Sequence, residues 1–198
     1  MAIEVPQNAG KIEVAVGCMY SGKTEWLQSQ LRPHAVAGNN ILTIHYSDDT
    51  RYGQGQIFTH YQAGFEAKPA KTVDDIERYI NHAELPEVLG VDEIQFFEAM
   101  QFVKLIEQLR AERVFVYLSG LDLDFAAQPW ETSMRVMATA DWVEKKKAVC
   151  SSCKTINAAT RTQRLIDGAP ANLDTPRVLI GGLETYEARC LRDYQPPQ

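Results

Sequence analysis

Gly17-Cys18-Met19-Tyr20-Ser21-Gly22-Lys23-Thr24 meets every fixed position of the pattern G-x-x-x-x-G-K-[ST]. Residues of these types at this spacing bind a polyphosphate. The glycines let backbone N–H groups converge on phosphate oxygens, and a helix opening behind them adds the positive end of its dipole. Lys23 has the reach for the β- and γ-phosphates, and the Thr24 hydroxyl suits Mg²⁺. Ordinary residue frequencies produce the pattern by chance in about one chain of this length per hundred. The flanking elements therefore decide whether it is real.

A second group follows an apolar run, Val88-Leu-Gly-Val91, which ends in Asp92-Glu93. Phosphoryl transfer needs a carboxylate that holds the metal and its water, commonly at the end of a parallel strand. Neighbouring side chains point opposite ways in a strand, and that alternation relaxes at its end. Asp92 is then expected on the metal side and Glu93 over the acceptor, as general base. A solvated acidic strand end is the alternative, and the phosphate loop upstream favours the functional reading. Of four cysteines, Cys18 lies in the loop, whereas Cys150, Cys153 and Cys190 fall in the last quarter. The opening MAIEVPQNAG has no basic stretch followed by an apolar core, so a cytoplasmic location is expected. There a C-x-x-C pair reads as a metal site or a redox motif rather than a disulfide.

The elements that must position these groups are legible in outline. Ile12-Glu-Val-Ala-Val16 alternates and is β-branched, which predicts a strand. A helix is expected from Lys23, stopping before Pro33, because proline disfavours helix in the residue ahead of it. Asn40 to His45 predicts a second strand, and residues 47–66, with no clear period, predict a long functional loop. Thr72-Val-Asp-Asp opens a helix with Ile76, Tyr79 and Ile80 on one face. Residues 98–110 predict an amphipathic helix through Phe102, Leu105, Ile106 and Leu109. Val114 to Leu118 is apolar throughout, as suits a strand covered on both faces. This alternation gives an α/β domain over residues 1–143, a mainly parallel sheet flanked by helices. A small, mainly β domain is expected over 144–198, with a turn at 167–176, a strand from Arg177 to Ile180 and a frayed tail from Gln195.

Charge narrows the partners. The net charge of −6, from 20 Lys and Arg against 26 Asp and Glu, is a deficit of the cations that a polyanion site requires. Lys145-Lys146-Lys147 is the one basic cluster and is expected on a solvated strand or sheet edge. Neither nucleic acid nor a membrane is an expected partner, since no apolar stretch approaches about 18 residues.

Five blocks occur in a telling order: 17–24, Asp49-Thr-Arg-Tyr52, Asp92-Glu-Ile-Gln-Phe-Phe97, Gly120-Leu-Asp-Leu-Asp-Phe125, and Ile180-Gly-Gly182 with Tyr186. From about Lys11 to Tyr194 the chain resembles the type II, cytosolic, zinc-containing thymidine kinases. The resemblance implies transfer of the ATP γ-phosphoryl to the thymidine 5′-hydroxyl with Mg²⁺, in deoxynucleotide salvage. It also implies a homotetramer and a zinc-ribbon or lasso domain that closes over the base. By position, Glu93 is the base. Gly17, Cys18, Met19, Tyr20, Ser21, Gly22, Lys23, Thr24, Asp49, Arg51, Asp92 and Gln95 form the ATP, phosphate and Mg²⁺ set. Met19, Phe96, Leu121, Phe125, Trp130, Thr162, Leu179, Ile180, Gly181, Gly182 and Tyr186 form the nucleoside set. At least one of Phe96 and Phe97 is expected to be plain core.

Three positions depart from the family pattern. Cys18 replaces a usual proline, where only backbone is expected to matter. Trp130 replaces a more frequent phenylalanine. The last zinc pair, C-x-x-C or C-x-x-H in the family, here reads Cys190-Leu-Arg-Asp193. The expected metal set is therefore Cys150, Cys153, Cys190 and Asp193 around a structural Zn²⁺, against water as fourth ligand or loss of the metal. Another reading of the same loop is a P-loop ATPase or switch acting on a protein partner.

Overall fold

Ile12, Val14 and Val16 share one face of the first strand, β1 (Ile12–Gly17), while Ala15 takes the other, and all four are fully buried. A strand apolar on both faces demands cover on both. Helix α1 (Lys23–Ala37) supplies one cover through Trp26, Leu27 and Leu31. Helices α2 (Val73–Asn81), α3 (Ala99–Ala111) and α4 (Glu131–Thr139) supply the other, through Ile76, Phe102, Leu105, Ile106 and Val136. This computed structural model describes residues 10–47, 66–81, 84–178 and 185–198. Most of the expected long loop, and Asp49 and Arg51 with it, lies outside them.

The remaining strands of the large sheet are β2 (Ile41–Tyr46), β3 (Lys68–Ala70), β4 (Val88–Val91), β5 (Phe115–Gly120) and β6 (Trp142–Lys146). Their order is β3-β2-β4-β5-β1-β6, with every pairing parallel. The α/β expectation holds. The register sets Val91 opposite Leu118 and Leu118 opposite Val14. Asp92, Ser119 and the phosphate loop therefore leave the same edge of the sheet together. Strand β6 is the outer strand beside β1 and runs across position 143. It carries the lysine cluster on an edge, where Lys145 pairs with Asp122 (3.0 Å) and Lys146 with Glu144 (3.0 Å).

A second sheet is small and antiparallel, in the order β8-β7-β9, from β7 (Ala159–Ile166), β8 (Ala169–Pro170) and β9 (Thr185–Cys190). Asp167 and Gly168, both at positive φ, turn β7 into β8. Two expectations for this small domain fail among its described residues. Arg177 and Val178 are not in a strand. The tail is not frayed either: Gln195 and Gln163 exchange two hydrogen bonds (2.8 and 3.0 Å), and Leu173 N–H donates to Gln198 O (3.1 Å).

Helix starts follow local chemistry. Thr72 and Asp75 bond reciprocally ahead of α2, and the Glu98 carboxylate accepts from the Met100 and Gln101 amides ahead of α3 (3.1 and 2.7 Å). The end of α1 does not follow such rules. It continues to Ala37 with Pro33 inside rather than stopping before it. Tertiary bonds override the proline: His34 reaches Asn39 Oδ1 (3.2 Å) and the Tyr117 hydroxyl of β5 (3.0 Å). Gly38, at φ 80°, then closes the helix with its N–H on Ala35 O (3.1 Å). Pro33→Ala restores a missing N–H in a turn already held helical. It is expected to raise the unfolding free energy by about 1–2 kcal/mol. A higher urea midpoint at unchanged slope measures this, and a lower midpoint would show that the turn depends on the proline.

Candidate active site

Two glycines shape the loop for different reasons. A Cβ on Gly17 would stand 2.5 Å from the Lys146 carbonyl oxygen, so that position needs room. A Cβ on Gly22 would meet only Glu25 Oε2, at an ordinary contact of 3.7 Å, but φ there is 78°, so that position needs the torsion. Within the loop, the Cys18 carbonyl accepts from both the Ser21 hydroxyl and the Lys23 ammonium, each at 2.8 Å. A buried ammonium thus sits at the N-terminus of α1, where helix dipole and loop amides carry the same sign. The arrangement is a cradle for an anion.

Asp92 is buried at the end of β4 and gathers three elements. Its Oδ1 accepts from the Ser119 hydroxyl of β5 and from the Glu93 N–H (2.9 Å), and its Oδ2 accepts from the Thr24 hydroxyl of α1 (2.8 Å). Glu93 follows at φ 56°, ψ 45°, a left-handed conformation that costs a non-glycine residue about 1–3 kcal/mol. That twist releases the chain from strand alternation, so the two carboxylates need not oppose each other. Gln95 Nε2 donates to Glu93 Oε2 (2.5 Å) while Gln95 Oε1 accepts from the Leu121 N–H (3.0 Å). The resemblance groups Gln95 with ATP; here its amide spans Glu93 and Leu121.

Aromatic rings line up beside the acids. Phe96 lies 4.8 Å from Tyr46 and 5.7 Å edge-on from Trp130, centroid to centroid. Phe97, by contrast, stacks on Phe102 at 5.3 Å within the core, as expected for one of the pair. Trp130 carries the Arg177 guanidinium on its face at 3.9 Å, and Arg177 also pairs with buried Asp124 at 2.7 Å. Phe125 is buried, with the Arg164 guanidinium 3.9 Å from its ring centroid.

The small sheet touches the phosphate loop directly. The Met19 N–H donates to Thr162 Oγ1 (3.1 Å), and Cys18 Sγ donates to Ala159 O (3.4 Å). More than backbone is therefore used at Cys18. Its side chain is buried in a cluster with Ala148, Cys150, Ala159 and Ala188, and this burial pushes its thiol up. Behind that cluster, one ligand atom each from Cys150, Cys153, Cys190 and Asp193 lies within 4.8 Å of the others. Zinc–sulfur bonds of about 2.3 Å place tetrahedral sulfurs about 3.8 Å apart. Cys153 Sγ and Cys190 Sγ are 3.8 Å apart, and Cys150 Sγ and Asp193 Oδ2 are 3.4 Å apart. The donor set fits a metal of this kind. Burial opposes ionisation of Cys150, yet the backbone N–H groups of Cys190, Cys153 and Ser152 outweigh it and bring the thiol down to about 7. Arg192, and then the cysteine thiols, hold Asp193 well below the ordinary carboxylate range.

Comparison with known proteins decides the family. The family model described as thymidine kinase matches residues 10–194. The chain belongs to the thymidine kinase family. A thymidine kinase of Coprothermobacter proteolyticus is 42% identical over 195 residues, covering 98% of this chain and 96% of that protein. Thymidine kinases of Chloroflexus aurantiacus (40% over 193 residues, 96% and 97%) and Mesoplasma florum (37% over 189 residues, 94% and 92%) are also similar.

In this thymidine kinase family member, the structure gathers Gly17 to Thr24, Asp92, Glu93, Gln95 and Leu121 at one sheet edge. It sets Phe96 and Trp130 beside them, and Phe125, Thr162 and Tyr186 where the small sheet meets the large one. Asp49, Arg51, Leu179, Ile180, Gly181 and Gly182 lie outside the described residues. Sequence reasoning passed over Ser119, Arg164 and Arg177. Ser119 was readable as the last polar residue before the Gly120-Leu-Asp-Leu-Asp block, whereas a buried arginine within a strand carries no periodic signal.

Burial pushes the Asp92 carboxyl above the ordinary aspartate range, and bonds from Ser119, Thr24 and the Glu93 N–H, with the Lys23 charge, only partly offset it. A folded value above the unfolded one means that this group's contribution is complete below the unfolded value and is lost as pH rises through the folded one. Asparagine can keep all three bonds, accepting at Oδ1 and donating to Thr24. Asp92→Asn is accordingly expected to raise the Tm of the nucleotide-free protein at pH 7 by about 2–4 °C. The mutant should also flatten the fall of Tm with pH above about pH 4. Calorimetry across that range checks both, and a lower Tm in the mutant would contradict the account.

Proposed function

We propose that this protein is a thymidine kinase that transfers the γ-phosphoryl of ATP to the 5′-hydroxyl of thymidine, and of deoxyuridine. The observation that carries the reading is one sheet edge that presents an anion cradle, a buried carboxylate and a second carboxylate side by side. Family membership supplies the acceptor. In this reading the loop amides and Lys23 hold the β- and γ-phosphates, and Thr24 with Asp92 holds Mg²⁺. The Thr24 hydroxyl and the Asp92 carboxylate, 2.8 Å apart, are the hard oxygen donors that this ion takes. When bound, Mg²⁺ neutralises charge that builds on the phosphate oxygens. Glu93 accepts the proton of the 5′-hydroxyl, and Gln95 fixes its orientation from Leu121.

Phe96, Phe125 and Trp130 serve as flat apolar walls for the pyrimidine, and Thr162 and Tyr186 lie on its polar edge. Thr162 Oγ1, while accepting from Met19, keeps its own proton for a ligand acceptor. Asp49, Arg51 and residues 179–182 complete the ATP and nucleoside sets by resemblance. We further propose a homotetramer working in the cytoplasm on small molecules rather than nucleic acid. Among the described residues no helix is long and apolar enough to cross a membrane. The two expected units, 1–143 and 144–198, divide nucleotide binding from closure over the nucleoside in this reading, with β6 carrying the first unit's sheet on to Lys146.

The test is a panel of nucleosides with labelled ATP and Mg²⁺. Thymidine and deoxyuridine should yield monophosphates, and deoxyadenosine and deoxyguanosine should not. Glu93→Gln should lower turnover by about 10²-fold or more with ATP binding kept. Hydrolysis of ATP without any nucleoside product would instead favour a P-loop switch acting on a partner.

The metal is proposed to be a single structural Zn²⁺ held by Cys150, Cys153, Cys190 and Asp193. The small sheet has little core of its own, and a bound metal contributes folding free energy directly. Protein purified without chelator should carry about one zinc per chain by elemental analysis. Asp193→Ala should lower that content, and Asp193→Cys should keep it. Less than about a tenth of an equivalent in active protein would remove the metal from the account.

A further inference from the structure

Among the described residues Arg164 is the largest fully buried side chain, 2% exposed, on the central strand of the small sheet. Among the described residues it pairs with no carboxylate, and its Nε has no hydrogen-bond partner. A guanidinium in that situation is expensive, and packing alone would be better served by an apolar side chain of similar volume. What it contacts accounts for its presence. Nη1 donates to Pro176 O (2.6 Å) and Nη2 donates to Arg177 O (2.8 Å). Its planar face lies 3.9 Å from the Phe125 ring centroid and 5.2 Å from that of Tyr186.

These four partners come from three places in the chain. Pro176 and Arg177 precede residues 179–184, Tyr186 follows them, and Phe125 belongs to the loop after β5. The fork of donors therefore holds the side that precedes that stretch, while the guanidinium itself lies over Tyr186 on the side that follows it and over Phe125. Arg177, so held, lays its own guanidinium over Trp130 and donates to Pro129 O (2.8 Å). The planar fork and the stacking faces are properties of arginine that lysine lacks.

We propose that Arg164 is a positioning residue for nucleoside binding, holding Pro176–Arg177 and Tyr186 at a fixed distance from Phe125 and, through Arg177, from Trp130. It does not touch the phosphate loop or the acids. The inference rests on the reading of Phe125, Trp130 and Tyr186 as nucleoside contacts.

Two variants test it in the full-length protein. Arg164→Met keeps much of the apolar volume, and Arg164→Lys keeps the charge and one donor at a time. In both, the KM for thymidine should rise, by about tenfold or more in Arg164→Met and less in Arg164→Lys. The KM for ATP and kcat should stay within about twofold of wild type. Amide hydrogen exchange in the nucleotide-free protein should speed up over residues 172–178 and 185–190 and stay unchanged over 23–37. If Arg164→Met does not fold, Arg164→Lys alone gives the answer. Wild-type thymidine KM and wild-type exchange in a folded variant would overturn the proposal. So would a parallel change in kcat, both KM values and exchange throughout the chain, which is the signature of general damage. A wild-type protein that makes no thymidine monophosphate would sink the kinase reading, and exchange at 172–178 and 185–190 would then decide the hold of Arg164 by itself.

Discussion

Three separate elements meet on one carboxylate. Ser119 comes from β5, Thr24 from the first turn of α1 and the Glu93 amide from the exit of β4, and all donate to Asp92. Desolvation makes such a group costly in the ionised form, so its neighbours must be donors and must arrive in register. The parallel pairing of β4, β5 and β1 delivers that register, and the two core layers hold it. The phosphate loop, the acids and the aromatic row are all placed by reference to this point.

The second sheet is joined to this centre by few but specific bonds. Thr162 takes the Met19 amide, Cys18 donates to Ala159, and the Tyr194 hydroxyl donates to Phe125 O (2.6 Å). The first two run between β7 and the phosphate loop, and the third joins the segment after β9 to the loop after β5. The small sheet and the phosphate loop therefore share structural members, and the cysteine cluster lies behind the same small core.

Much of this was legible in the residues. An alternating β-branched run gave β1, continuous apolar runs gave β4 and β5, and the G-x-x-x-x-G-K-[ST] pattern lies between a strand and a helix as its chemistry requires. Less legible were features set by distant partners. Pro33 looks like a helix end because the bonds of His34 to Asn39 and Tyr117 are invisible in a local window. Strand β6 hides among lysines because an edge strand needs no apolar run. The ties of Gln195 to Gln163 span the domain. Arg164 is the extreme case, since a strand arginine reads as solvated until the rings around it are known.

Glu93 occupies a left-handed backbone conformation that a glycine would adopt without strain. The native residue therefore opposes folding at the point where its carboxylate is wanted. A glycine there would relieve the strain and, in the proposed reading, remove the proton acceptor in the same step. A library of this protein sorted only by resistance to heat would drift toward well-behaved scaffolds with no chemistry, and only a turnover measurement run alongside would reveal it.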